Sequence, residues 1–218
     1  MNYADIYQAI RRGTAAEAVP RWALSSLRDI AEGRRDLTGV LHPLGFLCLP
    51  IERLGDHGIC VHQWTLALRP RLTTSAIHSH SWDLTSYVLY GGLRNERVQV
   101  IDDPDFPTHR VFDVRSYGDV DEIGATTRLV SYRAESVEAY GAGGVYSLSA
   151  GEFHTTVLAD EHGAATVALG RSREQAADLA LGAVDTPSHV VRRRHCAAPE
   201  TARAACLIAD RLEASHTA

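Results

Sequence analysis

The sequence predicts a mainly β protein, a sandwich or small barrel of many short strands with α-helical extensions at both ends. Three observations carry this. Between Leu44 and Gly170 the chain breaks into short β-rich runs separated by turn residues at close spacing. The first forty residues and the last forty-five or so instead place apolar side chains at intervals of three and four. No internal repeat is visible, so the strands build one barrel and not a tandem pair.

In chain order, residues 3–12 and roughly 20–33 read as helices, with Pro20 suited to a first helical turn. Gly33 and Gly39 then break the period. The strands expected next are GFLCLPIER, GICVHQWTLAL, SYVLYGGL, ERVQVID, HRVFDVRS, TRLVSYRA, VYSL, FHTTVL and AATVALG. Arg69-Pro70-Arg71, Gly91-Gly92, Asp102-Asp103-Pro104, Tyr117-Gly118-Asp119 and Gly141-Ala142-Gly143-Gly144 supply the turns between them. Beyond Gly170, Ser172 can cap a helix through Leu181, with Glu174 and Gln175 in its first turn, and a last helix is expected from about Pro199 to Leu212. The expected organisation is a helical extension over 1–43, a barrel over 44–171 and a second helical extension over 172–218.

Composition excludes several classes of function. The chain has 218 residues, enough for one domain with a sizeable core, and a net charge of −5, which offers no broad basic field to nucleic acid. No apolar run is long enough to span a bilayer, and the opening MNYADIYQAIRRG lacks the apolar core of a secretory signal, so a cytoplasmic protein is expected. There is no lysine; all 22 basic residues are arginine. An internal Schiff base is therefore unavailable, which removes pyridoxal-phosphate and lysine-aldolase chemistry. Dinucleotide and P-loop fingerprints are absent, so neither NAD nor ATP is expected. Cys48, Cys60, Cys196 and Cys206 show no paired spacing and are expected as reduced thiols, Cys48 as a packing residue. Arg192-Arg193-Arg194, followed by His195, reads as a solvated charge cluster outside the barrel.

One constellation looks built for a metal. His78 and His80 stand one residue apart on an expected strand, and side chains alternate along a strand, so both imidazoles point to the same face. His154, at the start of a later strand, can complete a set of three. Three neutral imidazoles leave coordination positions open for substrate, water or dioxygen.

These residues resemble the two motifs of the cupin superfamily. His78 and His80 match the H-x-H of the first motif, and Gly91 or Gly92 its closing glycine. Gly143, then Ser149-Ala150-Gly151, then His154 reproduce the second motif, with serine in place of proline. The resemblance covers about residues 57–170 and implies a jelly-roll barrel that commonly pairs as a homodimer. The glutamate of the first motif is missing: Leu84 or Thr85 occupies its place, and Asp83, one residue earlier, is the candidate fourth ligand. Cupins without this glutamate, such as cysteine dioxygenase and other thiol dioxygenases, hold ferrous iron with three histidines. The resemblance thus implies an iron(II) dioxygenase acting on a small anionic molecule with dioxygen as co-substrate. Two alternatives stand beside it: zinc, nickel or manganese acting as a Lewis acid in an isomerase, lyase or hydrolase, and a small-molecule-binding cupin without turnover.

Strand parity nominates the pocket. Trp64, with Leu66 and Leu68, offers an aromatic wall, and His62 lies on the same strand. Thr156 shares a face with His154. Tyr87 or Tyr90 can present a phenol to a metal-bound species, and Arg94, in phase with Val98 and Val100, can pair with a substrate carboxylate.

Overall fold

A computed structural model describes residues 1–68 and 72–216; the expected Arg69-Pro70-Arg71 turn lies outside these. Among the described residues two helices, α1 (Tyr3–Arg11) and α2 (Ala15–Ala31), precede fourteen strands. These are β1 (Val40–His42), β2 (Phe46–Leu54), β3 (His57–Trp64), β4 (His78–Ser79), β5 (Trp82–Tyr90), β6 (Leu93–Asp102) and β7 (His109–Tyr117). There follow β8 (Val120–Tyr140), β9 (Val145–Leu148), β10 (His154–Leu158), β11 (Ala164–Ser172), β12 (Asp178–Gly182), β13 (His189–Arg192) and β14 (Arg194–His195). Helix α3 (Ala198–His216) follows them.

The strands form two seven-stranded sheets, in the orders β14-β1-β2-β3-β11-β5-β9 and β13-β8-β6-β10-β4-β12-β7. The mainly β, jelly-roll expectation is borne out. The 21-residue β8 also pairs with β7 through its first half, which closes the second sheet on itself.

Period-two patterning sorts the first sheet into two faces. Leu47, Leu49, Ile51, Ile59, Val61, Val167 and Leu169 pack against Val19, Ala23 and Leu27 of α2 and Ile208 and Leu212 of α3. This one apolar cluster therefore holds the helices on the outer face of the sheet. The opposite parity, Phe46, Cys48, Cys60, His62 and Trp64, looks toward the second sheet; Phe46 and Trp64 pack with Leu93 and Leu158 from it. Helix α1 opens with a capping box, in which the Asn2 side chain accepts from the Asp5 amide at 3.0 Å and Asp5 accepts from the Asn2 amide at 2.9 Å.

Three expectations about elements need correction. Helix α2 begins at Ala15, so Pro20 lies inside it and not in its first turn. The buried stripe Ala15, Val19, Ala23, Leu27 extends the helix N-terminally despite the donor that proline lacks. No helix runs from Ser172 to Leu181. Ser172 ends β11, its amide bonded to the Asp56 carbonyl at 2.7 Å, and Asp178–Gly182 is a strand between β4 and β7. Leu179 and Leu181 alternate with Ala180, a period-two pattern that favours pairing over the local cap signal. The C-terminal extension is therefore helical only from Ala198. Finally, β3 stops at Trp64, and Leu66 is exposed in the turn beyond it, so Leu66 and Leu68 do not continue the wall.

Glycine placement follows backbone need. Gly91, one of the two glycines that can match the close of the first motif, has φ 73°, and a Cβ there would stand 2.1 Å from the Gly163 carbonyl oxygen. Only glycine fits this turn between β5 and β6.

Candidate metal centre

The three histidines converge because three short segments are locked to one another. Strand β4 is only two residues long, but it is held on both sides: His78 stands opposite His154 of β10 and opposite Ala180 of β12. His80 follows the strand, and its carbonyl accepts the Gly151 amide at 2.8 Å. Gly151 has φ 82°, the left-handed turn that the second-motif glycine supplies three residues before His154. The two motifs are thus tied by their own backbones.

The ring centroids of His78 and His154 lie 4.4 Å apart, those of His78 and His80 4.7 Å, and those of His80 and His154 5.1 Å. One nitrogen from each ring falls within 4.8 Å of the other two. The tautomers suit a metal. His78 Nδ1 lies 2.9 Å from the Ala76 carbonyl and His154 Nδ1 3.3 Å from the Glu152 carbonyl. A carbonyl only accepts, so each Nδ1 carries its hydrogen and each Nε2 keeps a free lone pair. Such outer partners are what fix the orientation of metal-binding imidazoles. His80 is held differently, its ring stacked on Trp82 at 4.2 Å and 29°.

Burial keeps all three rings neutral, the form that binds metal. Desolvation lowers the pKa of His78, and lowers that of His80 well below the usual histidine range with His78 and His154 adding to the effect. His154 is pushed down to about 3, first by burial and then by neighbouring charge from His78.

Asp83 does not join the three. Its Oδ1 accepts the Ala150 amide at 2.9 Å and its Oδ2 is engaged by Arg173, whose Nε lies 2.8 Å away. Arg173 holds the Asp83 carboxyl below its ordinary value. Asp83→Asn is therefore expected to leave metal affinity unchanged. It should lower stability by no more than about 1 kcal/mol, the range for a half-exposed ion pair. Isothermal titration and thermal melting check both; a drop in metal affinity would restore Asp83 as a ligand.

The other nominated residues divide between the two faces of the sheets. Thr156 shares the inward face with His154, and its hydroxyl lies 3.4 Å from Asn95 Oδ1. Trp64 is buried against Phe46, ring centroids 4.4 Å apart, on the inward face with His62. Tyr87 and Tyr90 are instead buried in the apolar cluster under the helices, and the Tyr90 ring is covered by Arg211 at 4.9 Å. Neither phenol reaches the histidines from that face. Arg94 is exposed. Val98 and Val100, used to phase it, fill a separate apolar cluster with Val111 and Val130. The inward residues of β6 are Leu93, Asn95 and Arg97.

Arg97 is the arginine at the site, the direct strand partner of His154. It pairs with Glu152 and donates to the Ser147 carbonyl at 2.9 Å, while the other Glu152 oxygen accepts the Ser149 amide at 3.0 Å. Since the Glu152 carbonyl also receives His154 Nδ1–H, this pair staples the turn that carries the third histidine. His42 was also missed. It is stacked on Phe46 at 4.4 Å, and it and His62 are near enough to weigh on His80 electrostatically. Strand parity would have found Arg97 had the phase been taken from Leu93; His42 sits on a three-residue strand with no readable period.

Cys48 packs against the Phe46–Trp64 cluster, in line with its expected role, and it also gathers with Cys60 and His62 on the inward face of β2 and β3. All four cysteines are free thiols, as expected. The three arginines before His195 are not simply solvated. Arg193 pairs with Asp121 at 2.7 Å, Arg194 with Glu200 at 2.6 Å and Arg192 with Asp119 at 3.4 Å.

No protein-family model matches the chain, and no curated protein does. Among solved structures it is similar to the KdgF protein from Halomonas sp., with 11% identity over 65% of this chain and 93% of that one and a TM-score of 0.36. It is also similar to the hydroquinone 1,2-dioxygenase of Sphingomonas sp. TTNP3 with 4-hydroxybenzoate bound: 14% identity, 56% of this chain, 64% of that one, TM-score 0.35. A cupin-2 domain protein from Shewanella frigidimarina gives 12% identity over 58% of this chain and 79% of that one, TM-score 0.31. The chain thus spans less than two thirds of the dioxygenase. At such identities none of these proteins lends this chain a substrate or a reaction. Among the described residues, no helix is long and apolar enough to cross a membrane.

Proposed function

We propose that the chain is a mononuclear metal-dependent enzyme in which His78, His80 and His154 hold an iron(II) ion for oxidation of a small anionic metabolite by dioxygen. The observation that carries this reading is the donor set: three neutral imidazoles, two with Nδ1 committed to backbone carbonyls, and no carboxylate among them. A ferrous ion held this way supplies open positions at which substrate and dioxygen meet.

The remaining work belongs to the chain's own residues. No ligand carboxylate offsets the ion's charge, and Glu152 neutralises Arg97, so the site as a whole stays positive and attracts anions. Trp82 fixes the plane of His80, and the Arg97–Glu152 pair fixes the turn bearing His154. Asn95 and Thr156 on the same inward face offer hydrogen bonds to a bound anion or its product. The expected resemblance to three-histidine thiol dioxygenases makes small thiol-carboxylates the first substrates to try.

The test is reconstitution of metal-free protein with iron(II) under anaerobic conditions, followed by oxygen-electrode assays with small carboxylates and thiol-carboxylates. One iron per chain at the histidines and substrate-dependent oxygen uptake are expected. Full turnover with zinc and no oxygen uptake would replace the redox reading by Lewis-acid chemistry. Folded protein that takes up no metal at the histidines would end both readings.

A further inference from the structure

A second group of metal-binding side chains stands outside the three-histidine centre. Cys60 and His62 lie one residue apart on β3, so they share its inward face just as His78 and His80 share theirs. Cys48 of β2 is the direct strand partner of His62. The two sulfurs and one imidazole nitrogen lie within 4.8 Å of one another. In a tetrahedral zinc site the sulfurs stand about 3.8 Å apart, as follows from bonds of about 2.3 Å, so only a small closure is needed.

We infer that Cys48, Cys60 and His62 form a second metal site, for a thiophilic divalent ion such as zinc, with one coordination position left open. The charge balance favours it. Two thiolates cancel the two positive charges of zinc, giving a neutral centre on a half-buried face, and soft sulfur donors select zinc over the harder ferrous ion. Arg53 on the same hairpin donates to Cys60 Sγ at 3.7 Å, an outer partner that supports the thiolate.

The competing chemistry for two neighbouring cysteines is a disulfide, and the register disfavours it. Cys60 stands opposite Pro50, so Cys48 and Cys60 are diagonal neighbours. Diagonal pairs in a sheet have Cβ atoms several ångströms farther apart than the roughly 3.8 Å a disulfide requires. A metal bridges that gap; a sulfur–sulfur bond does not.

The test uses the unaltered, reduced, metal-free chain. Its thiols are alkylated with and without zinc, and each cysteine is followed by peptide mass spectrometry. Zinc is expected to slow modification of Cys48 and Cys60 at least tenfold while leaving Cys196 and Cys206 unchanged. Cobalt(II) should give a thiolate-to-metal charge-transfer band that Cys60→Ala abolishes and His154→Ala preserves. That last variant separates this site from the three-histidine centre, so either can fail alone. Equal alkylation with and without zinc, absence of the cobalt band, or a stable Cys48–Cys60 disulfide that zinc does not prevent would each overturn the assignment.

Discussion

His154→Ala is expected to remove iron from the three-histidine centre and to abolish any turnover that depends on it. His154 is 2% exposed, the most enclosed of the three ligands, and it alone comes from the second motif. Without it, only the imidazoles of His78 and His80 remain of the three-histidine donor set. Changing an outer-shell partner costs metal affinity about 10- to 100-fold, and losing a direct ligand costs more, so binding should weaken by at least about 100-fold. The measurement is metal per folded chain after anaerobic iron loading, compared with the natural sequence; the difference should be one equivalent. His195→Ala serves as the control, because that histidine is exposed on β14. Because deleting a buried ring also leaves a cavity, His154→Gln should be tested in parallel, to separate lost coordination from lost packing. A variant that folds and keeps its full iron complement would remove His154 from the ligand set.

The same histidine shows how much of this site a sequence can carry. His78, His80 and His154 are legible in the sequence because the H-x-H spacing singles out the pair and the resemblance to the second cupin motif singles out the third. Strand parity places Thr156, His62 and Trp64 on the inward face, but it fails for Arg94, Tyr87 and Tyr90. Arg94 and Arg97 are three positions apart and therefore on opposite faces, and the choice between them turns on phase alone. Val98 and Val100 suggested the wrong phase because β6 has apolar neighbours on both faces, Leu93 on one and the Val111–Val130 cluster on the other. Tyr87 misled for the same reason: it lies under the helices, and no pattern within β5 says which face they cover. Cys48 and Cys60 are twelve residues apart, and only the hairpin register of β2 and β3 brings them together. The segment 172–181 reads as a helix from sequence because a good N-cap signal is local, whereas the partners of Asp178–Gly182, β4 and β7, are distant in sequence.

Metal-free protein is expected to lose stability steeply as pH falls from about 6.5 to about 4.5, and the metal-loaded protein to resist until the ion is displaced. Folded His154 takes up a proton only near pH 3, whereas the same side chain in the unfolded chain does so near its ordinary value of 6.5. Between those values the unfolded state binds more protons, so acidification favours unfolding throughout the window. Each unit of separation is worth about 1.4 kcal/mol, so His154 alone accounts for roughly 3 kcal/mol by about pH 4.5 and roughly 4–5 kcal/mol by about pH 3. His78, His80 and His42 are lowered in the same direction by burial and steepen the slope. That is a large fraction of a typical domain stability of about 5–15 kcal/mol. The carboxylates do not confuse the result. Asp83, Asp56 and Glu200 are all held below their ordinary values, so the stability they contribute is lost at still lower pH. Urea midpoints of chelator-treated protein, measured across this range, provide the check, and His154→Gln should flatten the curve. A midpoint that stays constant from about pH 7 to about pH 4.5 in metal-free protein would show that the rings are solvated when the metal is gone, and that the centre is not preorganised for it.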